Sequence, residues 1–401
     1  MTDVQFLLNV TARDMPPSGI RRFFDIAAEM DDVISLSVGE PDFPTPWHVR
    51  DVAIDSLRKG HTGYSPNRGF TALCREICTY CARRFDLHYD YRTDVVVTVG
   101  GSEAIDLTVR ALVNPGDEVL VPQPSFVCYA PIAKMAGAKA VPIVTRREDE
   151  FRLNPDALRQ HITDRTKLLI LPFPNNPTGA VMRREHLEAI AEVLRGTDVM
   201  VLSDEIYAEL TYNGVPHVSV ASIEGMKERT VVVGGFSKSY AMTGWRLGYA
   251  LGPAPVIAVM TKIHQYAIMC APTTSQYAAI EALRTGDADI KAMREEYDLR
   301  RRLIVRGFRE LGFDCFEPEG AFYVFPCIAH TGMTSEAFCQ KLLERQHVAV
   351  VPGNAFGDCG EGFIRVSYAY STRHIEEALR RIRLFLKEEG LMDEDTSQRE
   401  D

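Results

Sequence analysis

Between Asp94 and Gly252 the chain repeats short apolar runs, DVVVTVG, EVLVPQP, KAVPIV, KLLILPFP, VMVLSDE, TVVVGGFS and GYALG, most of them separated by amphipathic stretches of helical period. Runs of this length and β-branched content bury both faces of a strand. The alternation therefore predicts an α/β fold, with a mainly parallel seven-stranded sheet covered by helices and joined by right-handed crossovers. In such sheets ligands gather outside the carboxyl ends of the strands, so the functional residues are sought where the apolar runs stop.

The run TVVVGGFS opens into SKSYAMTGWRLGY, which sets Lys238 among small and aromatic residues at a strand end. A desolvated lysine there loses its proton readily enough to act as a nucleophile, although a lone lysine is more often a solvated surface residue. The other strand ends decide between the two. DVVVTVGGSEAIDL is a strand, a glycine pair and a helix start, which turns the backbone N–H groups of Ser102 and Glu103 toward an anion. QPSFVCYAP places Phe126 where a ring either stacks on a flat heterocycle or fills the core. In LPFPNNPTG the amide of Asn176 either points inward or caps a turn. VMVLSDEIY ends a strand on Asp204 and sets Tyr207 three residues later. A buried carboxylate without a local partner calls for a cation such as a protonated ring nitrogen; a metal ion is the rival, and no His-rich or Asp-rich cluster lies near in sequence to complete it. Ser237 adds a hydroxyl, and Arg246, eight residues after Lys238, can reach the same phosphate. In GFIRVSY, Arg365 sits inside an apolar strand, either as a bidentate clamp for a carboxylate or as half of an ion pair. Gly39, beside the proline-rich EPDFPTP, lets an extended backbone approach a ligand closely. A stacked ring, an acid for its nitrogen, donors for its oxygen, a phosphate nest and a Schiff-base lysine together describe pyridoxal 5'-phosphate, with no metal.

Around this sheet, residues 1–46 read as an N-terminal arm and part of a small domain, and 47–288 as the large cofactor-binding domain. Residues 289–387 read as a small C-terminal α+β domain, and the charged stretch 388–401 as a disordered tail. The arm contains SGIRRFFDIAAEM, a short amphipathic stretch with Ser18 as a possible cap. Arg300, Arg301 and Arg302 are expected on the solvated face of a long helix. The net charge of −10, without a long basic stretch, argues against a nucleic-acid partner. No apolar run approaches the ~20 residues that cross a bilayer, so no membrane partner is expected. The first residues do not resemble a secretion signal, and nine cysteines, an odd number, suit reduced thiols; both predict a cytoplasmic protein. Cys74, Cys78 and Cys81 have a spacing used for iron–sulfur clusters, but on a continuous helix they are expected to be core.

The ordered motifs EPDFPTP, YSPNRG, GGSEAID, NNPTG, SDEIY, SKSYAMTGWRLGY, GAFY and RVSY resemble the class I/II aminotransferases of the fold-type I pyridoxal-phosphate enzymes, collinearly over about residues 13 to 387. The resemblance implies that Lys238 carries the cofactor and shuttles the proton, that Asp204 pairs with the ring nitrogen, and that Tyr207 and Asn176 bond the ring oxygen. It also implies phosphate contacts from Ser102, Glu103, Ser237 and Arg246, with Tyr64 added by the second subunit of a homodimer, and a substrate carboxylate received by Arg365 and Gly39. The implied activity moves an amino group from an aromatic, aspartate-like or acyl-diaminopimelate L-amino acid to a 2-oxo acid in a ping-pong cycle. Ser102 stands where the aspartate-specific bacterial branch commonly has Lys, and Phe126 where Trp or Tyr is frequent. Through SGIRRF, NNPTG, HQY and GMTS the chain is most similar to bacterial aromatic or N-acetyl-diaminopimelate aminotransferases, and Arg21 and Arg22 are expected to contact a distal substrate group. A carbon–sulfur β-lyase would use the same cofactor residues. A cofactor-binding regulator would need a DNA-binding domain, for which the short arm leaves no room.

Overall fold

The computed structural model describes residues 4–17, 19, 30 and 32–392. Seven of the apolar runs become strands: β2 (Val95–Thr98), β3 (Glu118–Gln123), β4 (Lys139–Val144), β5 (Thr166–Leu171), β6 (Met200–Asp204), β7 (Thr230–Gly235) and β8 (Gly248–Leu251). They form one sheet in the order β2-β8-β7-β6-β5-β3-β4. Only β8 runs antiparallel to its neighbours. No crossover helix lies between β7 and β8, so the chain turns back directly, as antiparallel neighbours allow. The connecting loop, which carries Lys238 and Arg246, is thereby placed at the carboxyl edge of the parallel strands.

Side chains along each strand alternate between two buried faces. Val96, Leu168, Ile170, Leu202, Val231 and Val233 share a core with the helices Gly100–Leu112 and Ala254–Ala267. Val95, Val97 and Val232 face the opposite core, built on the helices Trp47–Arg58, Thr71–Phe85 and Thr273–Thr285. On the unbroken Thr71–Phe85 helix, Cys74, Cys78 and Cys81 are buried. Desolvation pushes the Cys74 thiol up to about 11 and the Cys78 thiol to about 12, which leaves them unreactive core groups.

A second, smaller unit draws on both ends of the chain. Strand β1 (Ile34–Ser35) pairs in parallel with β10 (Val348–Ala349), while β9 (Tyr323–Val324), β11 (Val351–Pro352) and β12 (Ile364–Ser367) make an antiparallel sheet with β12 central. The 24-residue helix Asp287–Glu310 packs on Thr372–Glu388 through a core that includes Ile304, Phe308, Phe338, Ile375 and Phe385.

Two expectations are corrected here. Arg300 and Arg301 are not solvated: both are buried, Arg300 against Asp42 and Glu296, Arg301 against Asp298, Glu317 and Asn213. Glu296 and Asp298 on the same helix and Asp42 and Glu317 from beyond it make their burial possible, a pairing that a run of like charges does not announce. Disorder does not begin at residue 388 either. The last helix continues through Glu388, Glu389 pairs with Lys341 and Arg345, and Leu391 and Met392 pack on the small core. Ser18, Arg21, Arg22 and residues 393–401 lie outside the described residues.

The turn that follows β5 has a strict steric requirement. Gly179 sits at φ +73°, and a Cβ there would lie 2.3 Å from the Pro318 Cβ and 2.9 Å from the Gly320 carbonyl oxygen. Gly225 has φ +75° but open space around it. Gly225→Ala is therefore expected to cost only the left-handed backbone penalty, about 1–2 kcal/mol. Gly179→Ala should cost clearly more, measured as a lower denaturant midpoint at unchanged m.

Candidate active site

A cavity of about 360 Å³ opens at the carboxyl edge of the sheet. Its walls come from the strand ends singled out above: Ser102 after β2, Phe126 after β3, Asn176 after β5, Asp204 and Tyr207 at the end of β6, Ser237, Lys238 and Arg246 in the β7–β8 loop, and Arg365 from β12 with Gly39 from the segment after β1.

Local geometry explains how each side chain is aimed. In the β5 turn, Asn175 and Asn176 have different tasks. The Asn175 side chain accepts the Thr178 N–H (3.2 Å) and hydroxyl (2.9 Å) and so builds the turn, which leaves Asn176 to face the cavity. Asn176 Oδ1 accepts Arg365 Nη1 at 3.1 Å. Asp204 Oδ2 accepts the Tyr129 hydroxyl at 2.8 Å, and its Oδ1 accepts the Ile206 N–H at 3.2 Å. A turn over residues 206–209 then brings Tyr207 beside Tyr323, their hydroxyls 2.8 Å apart.

Lys238 Nζ donates to the Gly39 carbonyl at 2.6 Å. Desolvation lowers its amine to about 8; among the surrounding charges Glu40 pulls it back most, Arg365 and Arg246 lower it further, and Asp204 opposes them least. Asp204 is displaced in the opposite sense. Burial raises it to about 6, countered in part by its bonds to Tyr129 and Ile206.

The anion site is built from backbone and one guanidinium. The Gly100–Leu112 helix starts where Gly248 of β8 comes so close that a Cβ would lie 2.6 Å from the Gly101 nitrogen. Arg246 leans over the same turn: a Cβ on Gly100 would meet its Nη2 at 2.8 Å. Free N–H groups of a first helical turn and a guanidinium repel one another unless an anion lies between them. Among the described residues Arg246 has no carboxylate partner and donates only to the Thr243 carbonyl, at 3.0 Å.

Arg365 is 2% exposed and likewise has no carboxylate partner among the described residues. It donates to the Ser37 carbonyl and to Asn176, is flanked by the rings of Tyr323 (4.6 Å) and Phe356 (4.9 Å), and leaves its Nε buried without a partner. Burial pulls its pKa down, as expected for a cation still waiting for an anion.

Two sequence-predicted residues do not reach the cavity with their side chains. Glu103 is turned away, its Oε1 2.7 Å from His264 Nδ1 and its Oε2 accepting the Val99 N–H at 2.5 Å, so that only its N–H belongs to the helix start. Tyr64 is 85% exposed, on a loop fastened where Asn67 donates to the Met269 carbonyl. Conversely, Tyr129, Tyr323, Glu40 and Thr243 line the cavity without having been singled out. Tyr323 lies within the GAFY motif and Tyr129 three residues after Phe126, so a spacing signal existed for both.

The donor set fits a flat ring that carries a phosphate at one end and a protonated nitrogen at the other. The Arg246 nest, the Asp204 carboxylate, which has no ion-pair partner among the described residues, and an amine near neutrality would each meet one part of it.

The family model for aminotransferase class I and II matches residues 31–382. The chain is 45% identical to the aspartate aminotransferase of Pyrococcus abyssi, over 94% of this chain and 97% of that protein. It is 42% identical to aromatic-amino-acid aminotransferase 2 of Thermococcus litoralis, over 94% and 97% respectively. Among solved structures, the aromatic aminotransferase of Pyrococcus horikoshii OT3 superposes with a TM-score of 0.88 at 43% identity, covering 93% of this chain and all of that one.

The lowered Lys238 pKa has a definite sign. Between about pH 8 and 10.5 the folded chain holds Lys238 neutral while the unfolded chain protonates it, so this group's destabilisation is present below about 8 and relieved as pH rises above it. In protein freed of cofactor, a lysine-directed reagent should modify one residue with an apparent pKa of about 8. Peptide mapping should identify it as Lys238, and surface lysines should react only at higher pH.

Proposed function

The chain belongs to the class I and II aminotransferases, and from that premise we propose that Lys238 is its cofactor-bearing and proton-shuttling residue and that aromatic L-amino acids are its preferred donors. Dependence on pyridoxal phosphate comes with the family. When bound, the cofactor supplies an electron sink for the bond broken at the substrate Cα.

The protein groups divide the remaining work. The first-turn N–H groups after Gly100, with Ser102, Ser237 and Arg246, hold the phosphate, and Tyr64 of a second copy in a homodimer joins them. Phe126 covers a ring face, and Tyr207 and Asn176 donate to the ring oxygen. Asp204 holds a proton on the ring nitrogen, because a buried carboxylate raised to about 6 gains most from a cation beside it. Arg365 and the Gly39 edge receive the substrate α-carboxylate. Lys238 Nζ would accept the proton from the substrate Cα and hand it on within the same cavity, and the same residues would serve the second oxo acid in a ping-pong cycle. The observation that carries this reading is the lysine itself, with its amine lowered to about 8 in one cavity with Asp204 and Arg365, neither of which has an ion-pair partner among the described residues.

Donor preference follows from charge. The cations lining the cavity among the described residues are Lys238, Arg246 and Arg365, and each has a task. Glu40 adds negative charge at the rim. A side-chain carboxylate therefore finds no counter-ion there, whereas an apolar ring meets Val38, Ile105 and Ile206. Donors or acceptors with a distal carboxylate would draw on Arg21 and Arg22 of the arm.

Lys238→Ala is expected to lower kcat by about 100- to 10,000-fold, the usual share of a positioned proton carrier. Transamination at the wild-type rate by that variant would refute the assignment. A panel of aromatic, aspartate, alanine and acyl-diaminopimelate donors against 2-oxoglutarate should give the highest kcat/KM for an aromatic donor. The Arg21→Ala, Arg22→Ala double variant should lose more with aspartate than with phenylalanine. Preference for aspartate, unchanged in the double variant, would overturn the charge argument.

A further inference from the structure

Arg300 projects from the 24-residue helix into the segment that forms the cavity rim. Its Nη1 lies 2.8 Å from each Asp42 oxygen, its Nε 2.9 Å from Glu296 Oε1, and its guanidinium over the rings of Phe43 (5.2 Å) and Tyr297 (5.7 Å). Phe43 meets Tyr297 edge-on at 5.4 Å, so the ion pair and the ring contact fasten adjacent residues to one helix.

Those residues lie midway along a strap that runs from the small sheet to the sheet of the cavity. At its start the Leu36 N–H donates to the Ala349 carbonyl at 2.8 Å, and the Ser37 carbonyl accepts Arg365. At its end the Thr45 hydroxyl donates to the Ala241 carbonyl at 2.6 Å and accepts Trp245 Nε1 at 2.9 Å. Between these anchors, Gly39 has little freedom: its carbonyl holds Lys238 Nζ, and a Cβ on it would lie 2.3 Å from the Tyr323 hydroxyl. The neighbouring contact, Thr243 to Glu40 at 3.1 Å, is exposed to solvent and correspondingly weak.

We propose that Arg300, acting through Asp42 and Phe43, is a positioning residue that fixes Gly39 at the edge of the cavity and so sets how tightly the substrate carboxylate docks beside Arg365. The inference rests on the reading of Arg365 and Gly39 as the carboxylate site. Displacements well under an ångström at such an edge change docking, while the phosphate end is set by the packing of Gly248 and Arg246 on the start of the Gly100–Leu112 helix, which neither Asp42 nor Phe43 touches.

The test measures equilibrium binding of an α-methyl aromatic amino acid, which has no α-proton to lose, to the cofactor-loaded protein. KM, kcat and the affinity for pyridoxal phosphate are measured alongside. Arg300→Met tests the cation, and the milder Asp42→Asn serves if a buried methionine beside an unpaired carboxylate prevents folding. Either variant should weaken analogue binding and raise KM by about tenfold, with kcat within about threefold of wild type and cofactor affinity unchanged. Arg300→Lys, which keeps a charge for Asp42 but not the planar fork, should recover part of the loss. Wild-type analogue binding in Asp42→Asn and Arg300→Lys would overturn the proposal. So would a joint fall of analogue binding, kcat and cofactor affinity with Tm, the signature of a merely structural ion pair. Wild-type protein that binds no analogue would instead overturn the carboxylate reading itself, and the inference with it.

Discussion

The parallel pairing of β6 with β7 is the constraint from which the cavity follows. Its register sets Asp204 opposite Val233, and the Glu205 N–H continues the ladder onto the Val233 carbonyl at 2.9 Å. A carboxylate is thereby fixed at the point where the adjacent strand releases its chain into the Ser237–Lys238 turn. Because strand side chains alternate strictly, a slip of one residue would bury Ser203 where Asp204 now stands and turn the acid into the opposite core. Val201 and Leu202 of β6 and the valine run of β7 prevent that slip by filling the cores on either side of the sheet.

Burial then shapes the chemistry through desolvation. An amine, a carboxylate and a guanidinium are held close together with few mutual ion pairs, so Lys238 is lowered, Asp204 raised and Arg365 lowered by the same cause. Isolated charges of this kind are costly, and structures keep them where a ligand supplies the counter-charge. The close approach of Gly248 to the start of the Gly100–Leu112 helix works in the same direction, by concentrating N–H groups beside Arg246.

Outside the cavity the same charges are neutralised internally. Arg300 and Arg301 are buried with carboxylates from elsewhere in the chain, and Glu209 accepts both Arg84 and the Tyr80 hydroxyl. The contrast is informative: Arg84, Arg300 and Arg301 have acids beside them, while Arg246 and Arg365, which face the cavity, have none among the described residues. The strap from Leu36 to Thr45 joins the two classes, with Arg300 on one side and Lys238 and Arg365 on the other.

Much was legible in the linear pattern. Apolar runs of β-branched residues dictated the strands, since their period and length leave few other ways to bury them, and the polar residues at their ends marked Ser102, Asn176, Asp204 and Lys238 before any contact was known. What the pattern could not reveal were pairings between distant segments. Arg300 read as solvated because Asp42 lies 258 residues away, and nothing local shows His264 drawing the Glu103 carboxylate aside while its N–H stays at the helix start. Asn175 and Asn176 are the same residue type side by side, and only the turn geometry assigns one to structure and the other to the cavity. Local propensity and periodicity are properties of neighbouring residues, so sequence alone determined the strands and which polar residues stand at their ends. Desolvation and ion pairing depend on what the folded chain brings alongside, so the tertiary structure decided which charges were spent on stability and which were left for a ligand.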